Sequence, residues 1–175
     1  MTSWTGGRGD DRLTGAAGGN IPDGGSGNDR LTGGGRFYVL ADGDSNDLLF
    51  AIAGIDLLDG GNGADHLRGG TGRDFLTAGG GAGVFIFATA AEAGSGAKGD
   101  HATDFLSSQH QLDFSGFIAG GSFIGGAAFA IGGGPQVRHV PAPREVQGDV
   151  TGDGIADFSI WLDDSSTLGP ADTLF

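Results

Sequence analysis

The chain has 175 residues, 39 of them Gly and 5 Pro, and its 22 acidic against 9 basic residues leave a formal net charge of −13. Phosphate neutralisation needs an excess of Lys and Arg, so nucleic-acid binding is disfavoured, and the lack of Cys removes disulfides, thiolate zinc sites and cysteine nucleophiles. Gly at this level marks either low complexity or periodicity, and 20 of the 22 acids are Asp, a turn residue, rather than Glu.

Residues 1–5 are a short leader without the basic start and apolar run of a secretory signal peptide. No stretch of the chain reaches the ~18 apolar residues of a membrane span. From Gly6 the sequence reads in nines: GGRGDDRLT, GAAGGNIPD, GGSGNDRLT, GGGRFYVLA, DGDSNDLLF, AIAGIDLLD, GGNGADHLR, GGTGRDFLT and AGGGAGVFI. The nine frames cover 6–86 without an insertion or deletion, and those starting at Gly6, Gly24, Gly60 and Gly69 match G-G-x-G-x-D-x-U-x in full, U being a large apolar residue. Column eight reads Leu13, Pro22, Leu31, Leu40, Leu49, Leu58, Leu67, Leu76 and Phe85, broken only by Pro22. A disordered Gly-rich segment has no reason to hold an apolar residue in phase for 81 positions.

This nonapeptide resembles the calcium-binding repeat of RTX proteins, and the resemblance implies a parallel β-roll over 6–86. The residue types follow from physics. GGxGxD makes a tight turn whose positive-φ positions suit Gly, and x-U-x makes a short strand with its middle side chain on one face. Two frames close one coil of 18 residues, so frame n stacks on frame n + 2 at roughly 4.8 Å. One Leu per nine residues, at ~2 kcal/mol each, does not offset ~1 kcal/mol or more of backbone entropy per residue. Stacked Asp columns also repel, so a cation has to sit between the turns. Carboxylate and carbonyl donors with no Cys and scattered His favour calcium.

The resemblance implies that each ion lies between turns n and n + 2, held by both column-six Asp side chains. The lower turn adds carbonyls from columns two and four, the upper from columns one and three. Column six reads Asp11, Asn20, Asp29, Tyr38, Asp47, Asp56, Asp65, Asp74 and Gly83. The odd frames, with Asp11, Asp29, Asp47 and Asp65, make three complete sites. Their further expected ligands are Gly7, Gly9, Gly24, Gly25, Ser26, Gly27, Asp42, Gly43, Asp44, Ser45, Gly60 and Asn62. The even frames make one, between Asp56 and Asp74, with Ile52, Gly54, Gly69 and Thr71. Tyr38 removes a carboxylate there and Arg36 stands where the turn calls for Gly, so this edge is degenerate. A fifth, partial site lies above Asp65, where Gly83 supplies no side chain. With a dissociation constant near ~10⁻⁴ M and about millimolar calcium, each ion adds roughly 1.4 kcal/mol to the folded state. Four such sites rival the ~5–15 kcal/mol stability of a domain. The chain is therefore expected to be loose inside a cell and folded outside.

Residues 88–103 are small and polar and read as a connecting segment, 87–103 in all. Gly94, Gly96 and Gly99 spell G-x-G-x-x-G, but no helix pattern follows, which excludes a dinucleotide site. From Asp104 the pieces DFLSSQHQLDFSGF, SFIGGAAF, PQVRH and VQGDVTGDGIADFSIWL resemble the C-terminal domain of serralysin-type secreted metalloproteases. His110 stands where that family usually carries Asp. The predicted fold class is thus all-β: a parallel β-roll, a β-helix-like solenoid, continuing into a β-rich, sandwich-like domain over 104–175. Asp149, Thr151, Asp153, Gly154 and Asp157 fit the start of an EF-hand loop, but Ile160 takes the place of its bidentate Glu. A weak calcium site and a plain turn both fit, and the reading leans to the turn, followed by a half-buried strand through Phe158, Ile160 and Leu162.

The chain ends Asp172-Thr173-Leu174-Phe175, which resembles the C-terminal signal of serralysin-like type I secretion substrates and implies an extracellular bacterial location. No H-E-x-x-H or G-x-S-x-G occurs, and His66, His101, His110 and His139 have no catalytic spacing, so no catalytic residue is assigned. Trp4 and Trp161 suggest no aromatic platform for a polysaccharide. Two functional readings follow. One is a non-catalytic calcium-binding module for secretion and stability. The other is the C-terminal part of a larger secreted enzyme, such as a zinc metalloprotease, whose catalytic domain lies outside this sequence.

Overall fold

The computed structural model describes residues 1–16, 18–163 and 167–175. Its architecture is a parallel solenoid. Three-residue strands such as Arg30–Thr32, Leu48–Phe50 and His66–Arg68 pair one coil apart, with Leu31 opposite Leu49 and Leu49 opposite Leu67. On the other side Leu40 faces Leu58, and Leu58 faces Leu76. The register is therefore the 18-residue coil read from the sequence. These Leu side chains are buried between the two sheets, and Pro22 also points inward, so the break in the column does not break the core. Leu13, in the first coil of its sheet, is only partly covered.

Gly serves close approach between coils. Gly27 has φ +120°, and a Cβ there would fall 2.5 Å from the Gly9 carbonyl oxygen of the coil before. An L side chain at that place meets both the wrong φ and an occupied space. Ser45 keeps a positive φ of 95° without being Gly.

The second half is built on the same two sheets. Among the described residues one sheet has ten strands and the other seven. Val84–Ile86 is followed in its sheet by Gln111–Asp113 and then Thr173–Leu174. Phe75–Thr77 is followed by His101–Ala102 and then Phe158–Leu162, all parallel. Only beyond this does the direction reverse, where Glu145–Asp149 pairs antiparallel with both Phe158–Leu162 and Gln136–Val140. The β-rich C-terminal part is thus continuous with the roll, and Phe105, Phe114, Val137, Val146 and Phe158 extend its core. Phe158–Leu162 is a strand as expected, but Ser159 is buried along with Phe158, Ile160 and Leu162, because the segment through Gly94 and Gly96 lies over it, the Gly96 N–H donating to Ser159 Oγ at 2.7 Å.

The connecting segment is more ordered than its composition suggests. It holds the short helix Ala90–Ala93, the 3-10 turn Gly96–Lys98 and the strand His101–Ala102. Glu92 of that helix pairs with Arg68 of the roll, Nε to Oε2 at 2.9 Å, and accepts the Ala88 N–H, which fastens the segment to the solenoid. Among the described residues no helix is long and apolar enough to cross a membrane.

Candidate metal centre

The column-six residues form two hydrogen-bonded rows, one along each edge of the solenoid. On the odd edge the N–H of Asp11 donates to Asp29 Oδ1 at 2.7 Å, that of Asp29 to Asp47 Oδ1 at 2.7 Å, and that of Asp47 to Asp65 Oδ1 at 2.8 Å. On the even edge Tyr38 N–H donates to Asp56 Oδ1 at 2.6 Å and Asp56 N–H to Asp74 Oδ1 at 2.8 Å. The carboxylates of Asp29, Asp47, Asp56, Asp65 and Asp74 are thus each anchored through Oδ1. The other oxygen, Oδ2 of Asp11, Asp29, Asp47, Asp56, Asp65 and Asp74, is buried without a hydrogen-bond partner.

An unpartnered buried carboxylate oxygen is costly unless a cation meets it. Those of Asp11, Asp29, Asp65 and Asp74 lie over the column-one glycine of their own turn. A Cβ on Gly6 would come within 2.6 Å of Asp11 Oδ2, one on Gly60 within 2.6 Å of Asp65 Oδ2, and one on Gly69 within 2.4 Å of Asp74 Oδ2. Gly in that column leaves room beside the carboxylate. Calcium, a hard cation that takes six to eight oxygens in flexible geometry, fits this donor set.

Burial pushes several of these carboxyl groups up. Desolvation, with nearby Asp charges adding to it, lifts Asp56 to about 7 and Asp65 to about 6, and it also lifts Asp74 to about 6. Asp42 rises to about 7, first by desolvation and then by the Asp47 charge. Asp47 moves in the same direction for the same leading cause.

The expected carbonyl ligands lie on these edges and are partly engaged. Gly25, Gly43 and Ile52 carbonyls accept N–H groups from Asp44 (3.3 Å), Asn62 (2.8 Å) and Thr71 (3.0 Å) one coil on. Those of Ser26, Asp44 and Asn62 accept from Gly9, Gly27 and Ser45 one coil back. Each carbonyl keeps a second lone pair for an ion. Asp42 contributes more than backbone. One oxygen from each of Asp29, Asp42 and Asp47 lies within 4.8 Å of the others, and Asp42 Oδ2 is also buried and unpartnered.

Asp100 was not among the sequence-derived sites. Asp74 N–H donates to Asp100 Oδ1 at 2.8 Å, and Asp100 Oδ2 is another buried orphan. Asp100 is fully buried, and desolvation followed by the Asp74 charge pushes it up to about 9. The even edge therefore carries Asp56, Asp74 and Asp100 in succession. The available signal was local: Asp100 stands two before the inward Ala102, the spacing of column six to column eight.

The ends of both rows are visible. On the odd edge Gly83 is followed by His110, since Val84 pairs with Gln111, and His110 is buried against Phe85 and Phe105. Neither supplies a carboxylate above Asp65. Asp104 fastens the turn there, accepting from Ala78 N–H at 2.9 Å and Gly79 N–H at 2.7 Å. At the start of the even edge Tyr38 turns inward, fully buried, with its hydroxyl donating to the Ala16 carbonyl and accepting from Asn20 Nδ2 at 3.3 Å. Its ring occupies the space over Gly15 and Gly34, where a Cβ would come within 2.4 and 2.8 Å of it.

The EF-hand-like segment is closed by its own backbone. Asp149 accepts from Gly152 N–H at 2.6 Å and Gly154 N–H at 2.8 Å, Asp157 from Val150 N–H and Thr151 N–H, and Asp153 from Ile155 N–H. This is the hydrogen bonding of a turn.

The family model of the RTX calcium-binding nonapeptide repeat matches residues 5–36 and 50–85. Residues 37–49, which hold Tyr38 and Asp42, fall between the two matched segments although the coil register continues through them. Among solved structures the chain is similar to the AlgE6R3 subunit of the mannuronan C5-epimerase of Azotobacter vinelandii. The two are 27% identical over 97% of this chain and 80% of that one, with a TM-score of 0.41. No curated protein sequence matches the chain.

Proposed function

We propose that this chain is a non-catalytic calcium-binding β-roll module that folds outside the cell as ions enter its two edges, and that it serves type I secretion and stability of what it is exported with. The observation that carries the reading is the row of buried, unpartnered Oδ2 atoms on each edge. Facing carboxylate pairs are Asp11/Asp29, Asp29/Asp47 and Asp47/Asp65 on one edge and Asp56/Asp74 and Asp74/Asp100 on the other. A bound calcium ion supplies the positive charge that these pairs lack. The Asp residues hold it from both coils, and the Gly columns leave it room.

Export before folding is consistent with the C-terminus. Thr173–Leu174 pairs with Gln111–Asp113, Asp172 is buried, and the Phe175 ring lies 6.3 Å from that of Phe114. Asp172 and Thr173 of such a signal are covered in the fold while Leu174 stays exposed, so the whole segment is open to a secretion apparatus in the unfolded chain that low intracellular calcium would maintain.

Limited proteolysis of the purified chain in chelator and in millimolar calcium tests the reading. Rapid cleavage throughout 6–86 in chelator, and protection by calcium but not magnesium, is the expected outcome. Equal resistance in both conditions contradicts it.

A further inference from the structure

Asp42 departs from the repeat. Column one is Gly in the frames starting at 6, 24, 60 and 69, but Asp at 42, inside the stretch that the family model leaves unmatched. Its side chain reaches back over the preceding coil. A Cβ on Gly24 would fall 2.2 Å from Asp42 Oδ1 and 2.5 Å from Asp29 Oδ2, so the two carboxylates share the space above that glycine. Asp47 closes the group, with oxygens of all three within 4.8 Å. Asp29 and Asp47 are 2% and 0% exposed, and Oδ2 of each of the three is buried without a partner. The ion pairs among the described residues, Arg68–Glu92 and His101–Asp163, do not involve them.

We infer that Asp42 converts the site between turns 24–29 and 42–47 into a three-carboxylate centre, which fills before the two-carboxylate sites and discriminates more strongly than they do in favour of trivalent lanthanide ions over calcium. The inference rests on the calcium-binding reading. Coulomb attraction grows with the product of ion and ligand charge, and ligand charge count is one of the levers that set calcium affinity. Asp29 and Asp47 are each shared with a neighbouring site, so the extra carboxylate of Asp42 gives this site the largest share of negative charge on the edge, and a trivalent ion gains more from it than calcium does. In the ion-free chain the same third charge adds repulsion, so this point of the odd edge depends most on a cation.

Isothermal titration calorimetry with calcium and with lanthanum, on the native chain, Asp42→Gly and Asp42→Asn, tests this. Asp42→Gly installs the residue of the other columns, and Asp42→Asn keeps the volume while removing the charge. Both variants should bind as many calcium ions as the native chain but lose its tightest step, which weakens roughly tenfold. The lanthanum-to-calcium preference of that step should fall by about tenfold as well. Native and variant isotherms that superpose for both ions, with calcium still bound, overturn this inference and leave the calcium reading intact. No calcium uptake by any of the three chains overturns the reading itself.

Discussion

Asp74 N–H donates to Asp100 Oδ1 across 26 residues of sequence, whereas every earlier link in the two Asp rows spans 18. The row therefore outlasts the repeat. The insertion before His101–Ala102 is absorbed by the helix Ala90–Ala93 and the turn Gly96–Lys98, and the next strand returns to register.

The proposed calcium-binding edge consequently extends to Asp100. Asp100→Asn should bind one calcium ion fewer than the native chain, and Asp74→Asn, which faces two partners, two fewer. Native mass spectrometry at saturating calcium counts them. An unchanged count for Asp100→Asn places Asp100 outside the metal sites.

The raised carboxyls make the fold depend strongly on pH without calcium and weakly with it. In the ion-free fold Asp42 and Asp56 lie at about 7, Asp65 and Asp74 at about 6, and Asp100 at about 9. An unfolded Asp titrates near ~4, so between there and these values the fold holds more protons than the unfolded chain. Ion-free stability is then greatest near pH 4 and falls as pH rises through about 6, 7 and 9. Calcium needs the ionised form, so its affinity falls as pH drops through about 7 and 6. Circular dichroism in chelator should show β signal growing from pH 8 to pH 5, roughly the window these shifts span. In saturating calcium the signal should stay nearly level over the same interval, because each proton gained by the fold then displaces an ion that already stabilised it.

Tyr38 holds the start of the even edge through its buried ring and hydroxyl. Tyr38→Phe removes the hydroxyl that bridges Ala16 and Asn20 and should cost only about 0.5–1.5 kcal/mol, since Asn20 Nδ2 still donates to the Ala16 and Gly18 carbonyls. Tyr38→Ala also empties the space over Gly15 and Gly34 and should cost roughly 3–5 kcal/mol. Urea unfolding in saturating calcium measures both, and the calcium count should not change in either variant. A lost ion in Tyr38→Phe would mean that the phenol belongs to a metal site.

Asp172 contrasts with the row carboxylates. It accepts from Ser107 Oγ at 2.8 Å, Ser108 N–H at 3.0 Å and Gly169 N–H at 2.7 Å, and these bonds outweigh burial and hold its pKa below the usual value. Its contribution is complete above the unfolded value near ~4 and is lost as pH falls through the lower folded one. Asp172→Asn should destabilise the calcium-loaded chain by roughly 1–3 kcal/mol near neutral pH. Unfolding at pH 7 and at pH 3 checks this, the difference between variant and native shrinking at the lower value.

The roll was legible because one residue type per column performs one task. Leu31, Leu49 and Leu67 announce the core, and Asp29, Asp47 and Asp65 announce an edge, at a period no loop would keep. Asp100 was not legible, since the 26-residue step removes the phase that identifies its neighbours. Asp42 was read as a backbone ligand because column one ordinarily has no side chain; only the fold shows its carboxylate reaching to Asp29. His110 illustrates the converse. The sequence marked a missing carboxylate, and the structure fills that place with a buried ring between Phe85 and Phe105.

Far-UV circular dichroism of the chelated chain, titrated with calcium and in parallel with magnesium, tests coupled folding most directly. A cooperative gain of β signal at sub-millimolar to millimolar calcium, absent with magnesium and weakened in Asp47→Ala, which faces both Asp29 and Asp65, is the predicted result. A chain already fully folded in chelator at neutral pH, with no response to calcium, would contradict the account and leave a metal-independent β scaffold.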